Sequence, residues 1–467
     1  MTTKTENGNI KRIAGLVAGF AAFAAILLIP IANISPDGHK CLAITTLFVV
    51  WLATGAVPPV FTGMFVTFLF VYMLDRETVP METVFSAWQN DGIYLVIGGY
   101  LIAQAFSSSG LGGRLCLMYM SRFAKDFKGL IISCYTLCFL LSVVIPQPSP
   151  RCILLASIIE NVALKLKLSK AHTTQIRIAI FIGALPTSMI LLTGLSSFSI
   201  MVTAMAGAPV TYLEWFKYMG VPGIFTTVMT CAAQLIFINR AENIAMPMAE
   251  FREKLSALGV LSADERKMVF YIISVVLLWI FGGAFGLDPG WASIFICVCM
   301  CFPVIGGLLN SDSWKALDMT TVFFFVSLMT VGNVGMASGM SAWITSVLIS
   351  VGIPQQAFLF ALVITLIAMA LHMMLGSAMS SLGIATPALI TVGTSLGFHP
   401  LVPAFLTFGA ITNHWVLPYQ NLPILLGVDD KRGYTTGDVV RMAIPQTINV
   451  LITSAVMIGW WKLVGLV

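Results

Sequence analysis

Pro146-Gln147-Pro148-Ser149-Pro150-Arg151 and Gly376-Ser377-Ala378-Met379-Ser380-Ser381 are polar interruptions in an otherwise apolar chain. Each lies between two hydrophobic segments that read as too short to cross a bilayer comfortably. Lipid offers no hydrogen bonds to a backbone, so non-helical chain at membrane depth persists only where protein or a water-filled cavity satisfies it. A matched pair of such breaks, one in each half, points to the substrate site of a secondary transporter.

Composition narrows the class in the same direction. The 467 residues are 58% hydrophobic and 10% charged, with a mean hydropathy of +0.94. A soluble domain carries about 25% charged residues, so this chain lacks the polar surface to face water all round. Several apolar runs reach the ~20 residues that span hydrocarbon. The leading run, 13–32, reads as a retained span, because it is long, lacks a small-residue cleavage site and is followed by further spans. The net charge of +5 comes from loops and implies no nucleic-acid partner. The cysteines lie almost entirely in apolar runs without metal-ligand spacing. They are expected to pack as small hydrophobes.

Hydrophobic runs predict spans near 13–32, 41–56, 58–74, 92–108, 175–205 and 216–238, then 268–285, 291–309, 321–349, 400–427 and 439–466. Helical hairpins at 129–165 and 355–397 fit between them, each with one break at its tip. The expected fold is an all-α polytopic membrane protein of about eleven transmembrane helices plus two re-entrant hairpins. A polar stretch at 239–267 divides it into 1–238 and 268–467. Within it, Ser262-Ala263-Asp264-Glu265 reads as a capping box opening the next helix. Lys4, Lys11 and Arg12 precede the first span and place the N-terminus in the cytoplasm. Arg122, Lys125, Lys128, Lys165, Lys167, Lys170 and Arg177 flank the first hairpin and place its base on the same side. Ala105-Phe106-Ser107-Ser108-Ser109-Gly110-Leu111 and Val334-Gly335-Met336-Ala337-Ser338-Gly339-Met340 close corresponding long spans. An odd number of crossings between the copies makes the two halves inverted repeats, with the unwound spans 175–205 and 400–427 in equivalent places.

Arg151 is the sharpest candidate for chemistry, because a permanent cation is expensive in lipid and must face protein, cavity or cytoplasm. It would bind an anion bidentately, or stand where a sodium charge would otherwise sit, which favours exchange. The alternative is a cation at the cytoplasmic mouth or paired with Glu160. Pro146, Pro148 and Pro150 force extended chain and make a rigid tip, which Gln147 shares. Ser149, Ser377, Ser380 and Ser381 offer hydroxyls to substrate or cation, or to their own helix backbone. Thr193 and Gly194 fall in the first unwound span, and Gln420 and Asn421, between Pro418 and Pro423, in the second. His372 and His414 would take a proton near neutrality or sit buried and neutral. Asp91 reads as a helix cap.

Trp51-Leu52-Ala53-Thr54-Gly55-Ala56-Val57-Pro58-Pro59 and Gly98-Gly99 followed by Ser109-Gly110-Leu111-Gly112-Gly113-Arg114 resemble segments of the divalent anion/sodium symporter family. So does Leu258-Gly259-Val260-Leu261-Ser262 with Glu265, Lys267 and Trp279. The resemblance runs over nearly the whole length. It implies eleven spans plus two re-entrant hairpins, a homodimer in the cell membrane, and transport of dicarboxylates, citrate or sulfate, usually with sodium. The family's Ser-Asn-Thr tips read here Gln147-Pro148-Ser149 and Ser377-Ala378-Met379, with both asparagines replaced. Its unwound Gly-Thr-x-Pro-Asn segments read Thr193-Gly194-Leu195-Ser196-Ser197 and Pro418-Tyr419-Gln420-Asn421-Leu422-Pro423. By residue type and by the resemblance together, Gln147, Ser149, Arg151, Thr193, Gly194, Ser377, Ser380, Ser381, Gln420 and Asn421 form the expected substrate site, with sodium near Ser149 and Ser377 and no other cofactor.

The expected function is secondary active transport of a small anion, a di- or tricarboxylate or relative, by an elevator-like alternating access, sodium-coupled or by exchange. An arsenite or other inorganic-anion permease of the same superfamily is the alternative. A polytopic membrane enzyme would need intramembrane acids, a metal set or an activated nucleophile, and a channel fits two re-entrant tips poorly.

Overall fold

The apolar runs fold as helices whose ends are set by ordinary capping chemistry. The computed structural model describes residues 2–467 apart from 166, 209, 239–240, 247, 350–353 and 430–432. Linker residues 239, 240 and 247, and the side chains of Lys4, Lys11 and Lys165, lie outside the described residues. Helix Pro36–Thr54 starts behind Ser35, whose hydroxyl accepts from the Gly38 N–H, and stops at Gly55 in the left-handed conformation. Ala263–Phe281 opens on the Ser262/Glu265 capping box expected from sequence. Asp91 is not a cap: it is the first residue of Asp91–Ser109, and the side chain of Asn90 takes the Gly92 N–H instead.

Among the described residues, six helical stretches are long and apolar enough to cross a membrane: Met81–Ser109, Tyr212–Ile238, Ala263–Phe285, Met319–Ala337, Ala357–Leu375 and Thr436–Val464. Lys170–Thr187 and Leu192–Met205, bent by 118° at a short break, would make a seventh. Shorter apolar helices, among them Pro59–Met73, Pro289–Met300 and Leu401–Asn413, fill in between. The chain is a multi-pass, all-helical membrane protein. Among the described residues, β pairing is limited to the isolated bridges Asp126–Ala245 and Val428–Tyr434.

One order of elements occurs twice. Two helices, a long helix, a short helix (Leu111–Phe123), a hairpin, a broken helix and a long helix (to Ile238) run from Pro36 onward. The same order follows from Ala263, with Met340–Ile349 as the short helix and Thr436–Val464 as the last. The first hairpin is Phe127–Ser142 and Pro148–Lys165; the second is Ala357–Leu375 and Ala378–Ser395.

Three local readings change. The run 321–349 is two helices, parted at Ser338-Gly339, where Gly339 has φ +83. The run 291–309 leaves the helix at Met300, whose carbonyl takes the N–H groups of Leu308 and Leu309 at 3.1 and 3.3 Å. The first arm of the second hairpin has 19 residues, about 28 Å at 1.5 Å per residue. It is long enough to cross a membrane, contrary to the expectation that this arm is too short.

Among the described residues, the π-helical stretches Ile178–Ile182, Phe216–Gly220 and Gln234–Ile238 loosen the helix ladder. Such segments carry carbonyls open to outside donors. The thiols of Cys138 and Cys152 both donate to the Ile180 carbonyl, at 3.6 and 3.3 Å. The indoles of Trp460 and Trp461 donate to Lys217 and Tyr218 at 2.7 and 2.9 Å, and the Gln175 amide donates to Ile238 at 3.2 Å. Cys138 and Cys152 therefore do more than fill space.

Candidate functional site

The first tip is non-helical over residues 143–147. Pro148 and Pro150 do not extend it: they begin Pro148–Lys165. A helix's first turn has no use for its N–H groups, so proline is accommodated there. Of the three prolines, Pro146 alone stands in the extended tip, and Ser149 and Arg151 sit on the helix. The Pro146 carbonyl accepts from the Ser196 N–H at 3.2 Å, and the Gln147 amide donates to the Ser197 hydroxyl at 2.8 Å. Both partners belong to the first broken helix, so the tip is docked on the break beside it. Ser149 is half-buried.

Arg151 is fully buried. Its guanidinium donates to the Ile145 carbonyl at 3.3 Å and to the Ser188 hydroxyl, which in turn donates to the Ala184 carbonyl at 2.5 Å. Its Nε has no partner. The expected pairing with Glu160 does not form: Glu160 accepts from Arg177 at 2.7 Å, and Arg177 also approaches Asp429 at 3.7 Å. No described carboxylate forms an ion pair with Arg151.

The first broken helix stops at Thr187 and resumes as a 3-10 turn, Leu192–Leu195, before Ser196–Met205. Pro186 leaves the Ala184–Thr187 turn short of a donor. Thr193 is buried, 3.5 Å from the Tyr212 hydroxyl. Gly194 lies so close to the preceding turn that a Cβ there would stand 2.2 Å from the Ser188 carbonyl oxygen.

The second tip is two residues long, Gly376 and Ser377. Ser377 caps Ala378–Ser395, its side chain accepting from the Ser380 N–H. The Ser381 hydroxyl donates to the Ser377 carbonyl at 2.7 Å. The hydroxyls of Ser377 and Ser381 thus bond within their own turn rather than facing a ligand, and Ser380 and Ser381 are buried. The second break runs over 414–421. Gln420 braces it: its side-chain carbonyl accepts from the N–H groups of Val416 and Leu417 at 2.6 and 2.8 Å. Its amide and backbone carbonyl meet His372 only at 3.5 and 3.4 Å. Asn421 is buried, and its Nδ2 has no partner.

The two breaks touch. Asn413 Nδ2 lies 3.7 Å from the Met189 sulfur, while Trp215 donates to the Met189 carbonyl and Gln446 to the Asn413 carbonyl. Gln446 also takes the Thr230 hydroxyl at 2.9 Å, and Asn449 donates to Thr226 and Thr230. This buried network ties the two long closing helices to the junction. The His372 and His414 rings stand 6.3 Å apart beside it.

Buried polar atoms without a protein partner gather here: Arg151 Nε, Ser196 Oγ, His372 Nδ1, Asn413 Oδ1, His414 Nδ1, Trp415 Nε1 and Asn421 Nδ2. Native proteins leave few such groups unpaired, and each calls for a ligand or water. Most of these atoms are donors or can be, which suits an anion. Arg151, Thr193 and Gly194 lie at the first break, and His372, Gln420 and Asn421 at the second; among the described residues, no direct bond joins the two tips. Sequence reading missed Ser188, Ser197 and Asn413. Pro186 in an apolar run was the available signal for the first of these.

Long apolar helices, two hairpins and two broken helices converging on unpaired polar atoms define the class as a secondary transporter of the membrane. The chain belongs to the family described as "Sodium:sulfate symporter transmembrane region", whose profile matches residues 10–467, and it is a secondary active anion transporter. Among its relatives, "Dicarboxylate transporter 1, chloroplastic" of Arabidopsis thaliana is 24% identical over 84% of this chain and 72% of that protein. "Sodium-dependent dicarboxylate transporter SdcS" of Staphylococcus saprophyticus is 24% identical over 60% of this chain and 56% of that one. The alignments with the first relatives cover 66%, 72% and 71% of those proteins' own lengths. The solved structure of the Alcanivorax borkumensis YdaH transporter matches with a TM-score of 0.54 and 13% identity, over 98% of each chain, and so shares the fold.

Proposed function

We propose that this chain carries a small dicarboxylate or related polycarboxylate anion across the cell membrane. The hairpins and broken helices move as one body against the remaining helices, and the site lies where the two breaks touch. Residues 1–238 and 268–467 are two inverted repeats around a cytoplasmic linker at 239–267; the N-terminus is cytoplasmic, the shorter apolar helices bring the crossings to about eleven, and two copies form a homodimer. The reaction is transport, with no covalent step. The observation that carries this reading is the set of unpaired buried donors at the junction of the breaks. A broken helix also ends its first part and begins its second at the site, so N–H groups and a positive dipole end face an anion there. Dicarboxylate relatives support the substrate class. A cavity of about 340 Å³ between Pro387, Thr391 and Thr394 of the second hairpin and Met329 and Asn333 supports sliding along that face.

The test is uptake of radiolabelled succinate into liposomes holding the purified protein, with malate, citrate, sulfate and a monocarboxylate as competitors. Saturable uptake blocked by dicarboxylates and indifferent to the monocarboxylate is expected. Failure to move any of these anions, with or without sodium, would overturn the reading.

A further inference from the structure

His372 and His414 are titratable groups at the second break that pair with no fixed charge. Both are buried, His372 fully, their rings stand 6.3 Å apart, and Nδ1 of each has no partner. The Nε2 of His372 faces the Gln420 carbonyl at 3.4 Å. A carbonyl can only accept, so the neutral ring holds its hydrogen on Nε2 and presents a bare lone pair at Nδ1. That lone pair repels an anion, although an anion is what the junction of the breaks is placed to meet. One proton on Nδ1 turns the acceptor into a charged donor.

No fixed charge competes for that proton. Between Ala357 and Gly427 there is no Asp, Glu, Lys or Arg, and the remaining histidine there, His399, is exposed. Of the helices packed on Ala357–Leu375 and Leu401–Asn413, Pro36–Thr54 and Thr436–Val464 carry charge, and only near their ends. On the first, Asp37 holds Lys40 and His39 meets the Ile26 carbonyl. On the second, Asp438 approaches Arg441, and Lys462 lies over the Phe358 ring. Arg151, at the other break, is bonded to Ile145 and Ser188. Among the described residues, His414 is the titratable group that faces His372. Two imidazolium ions so close repel, so the pair takes one proton and not two. A buried imidazolium is favoured only where a negative group stands beside it, and a bound anion is the group available.

We infer that His372 and His414 form a shared proton site, and that one proton enters the second break with each anion, so that the carrier is a proton–anion symporter. This rests on the anion-transport reading above. The proton comes from water on the loading side and binds the Nδ1 lone pair. It returns to water on the other side as the anion leaves, and no bond of the anion is made or broken. The coupling is reciprocal: whatever factor the anion adds to proton affinity, the proton adds to anion affinity. Neither alone is held well, so the two travel together.

The experiment adds succinate to the purified protein, in sodium chloride and in choline chloride, with little buffer and a pH-indicating dye. It is run at about pH 7.5, where both succinate carboxylates are ionised. The wild type should take up about one proton per succinate bound, and its affinity should fall about tenfold for each unit of rising pH. The double variant His372→Gln, His414→Gln should bind more weakly, with no proton uptake and a flat pH profile. Histidines that merely pack would, when replaced, lower affinity at every pH alike and leave the proton count unchanged. With equal sodium on both sides of a proteoliposome, an acid-outside gradient should drive succinate accumulation by the wild type and not by the double variant. Should the double variant fail to fold, NMR of isotope-labelled histidine in the wild type decides: succinate should convert one imidazole from the neutral to the doubly protonated form. Succinate binding without proton uptake, a wild-type proton count in the double variant, or histidine signals that ignore succinate would overturn the inference while leaving anion transport standing. Absence of succinate binding and flux in both salts would instead strike the transport reading.

Discussion

The first hairpin is hydrogen-bonded to the break beside it through its own tip, whereas the hydrogen bonds of the second to its break come from the helix behind the tip. Gln147, Pro146 and Arg151 each bond across to residues 188–197. In the second hairpin, Ser377, Ser380 and Ser381 bond among themselves, and contact with residues 414–421 falls to His372 and to Tyr419 beneath Gly376. Two elements in equivalent places in the chain are therefore held by different means. The first hairpin and its break behave as one docked unit. The second hairpin is self-contained at its tip and rests on a turn that Gln420 braces independently.

The largest test of this contrast is at the two glycines. In Gly194→Ala the new methyl meets backbone at the Ser188 carbonyl, so transport should fall to background with a marked loss of thermal stability. Gly376→Ala places a methyl 3.0 Å from the Tyr419 ring at φ +65, which costs about 1–2 kcal/mol of left-handed strain. It should stay folded and active. Equal tolerance in uptake and unfolding assays would erase the distinction.

Next come the tip side chains. Gln147→Ala removes a cross-hairpin hydrogen bond and leaves Ser197 without its donor, a loss of about 1–3 kcal/mol borne by the docked interface. Succinate uptake should drop by about tenfold, with faster hydrogen exchange over residues 143–150. Ser377→Ala loses a cap worth about 1 kcal/mol within one helix, so exchange should rise near 377–381 and uptake should change little. Larger damage from Ser377→Ala than from Gln147→Ala would reverse the assignment. Ser188→Ala lies between them: it deprives a charged donor of one acceptor, about 1.5–3 kcal/mol, read as a lowered melting temperature.

The smallest effect concerns the base of the first hairpin, where Asp126 accepts from the Asn243 amide at 2.9 Å and the Gly129 N–H at 2.7 Å. Those bonds, the Asn243 one first, hold its carboxyl below the usual carboxylate range. Its contribution is complete above the unfolded value and is lost as pH falls through the lowered one. Hydrogen exchange in 243–246 should therefore quicken only below about pH 4, and Asp126→Asn should abolish that response. An unchanged acid profile in the variant would remove Asp126 from the account.

Much of the helix pattern could be read from hydrophobic runs, because each long helix must bury or expose an apolar surface over its whole length. What could not be read is how single residues are spent. Pro148 and Pro150 forbid a helix interior yet suit its first turn, so composition alone made them a tip. Gln420 has the side chain of a ligand, and tertiary geometry turned it to the N–H groups of Val416 and Leu417. Arg151 announced a charge, but only the packed structure shows that Glu160 faces Arg177. The π-helical stretches leave no compositional trace, so the thiols at Ile180 were indistinguishable from packing.

The length of Ala357–Leu375 bears on how the protein is made. It has 19 apolar residues, enough for the insertion machinery to treat it as a complete span. Its turn at Gly376-Ser377 leans on Tyr419 and Gln420, which are synthesised later. A nascent chain ending before them therefore holds a segment that satisfies the rules for crossing, before the residues that would hold it as a re-entrant hairpin exist. With the re-entrant hairpin that the eleven-crossing proposal requires, the topology of this part of the chain would be settled only after translation has passed the second break, which would make the second hairpin an element of late assembly rather than of first insertion.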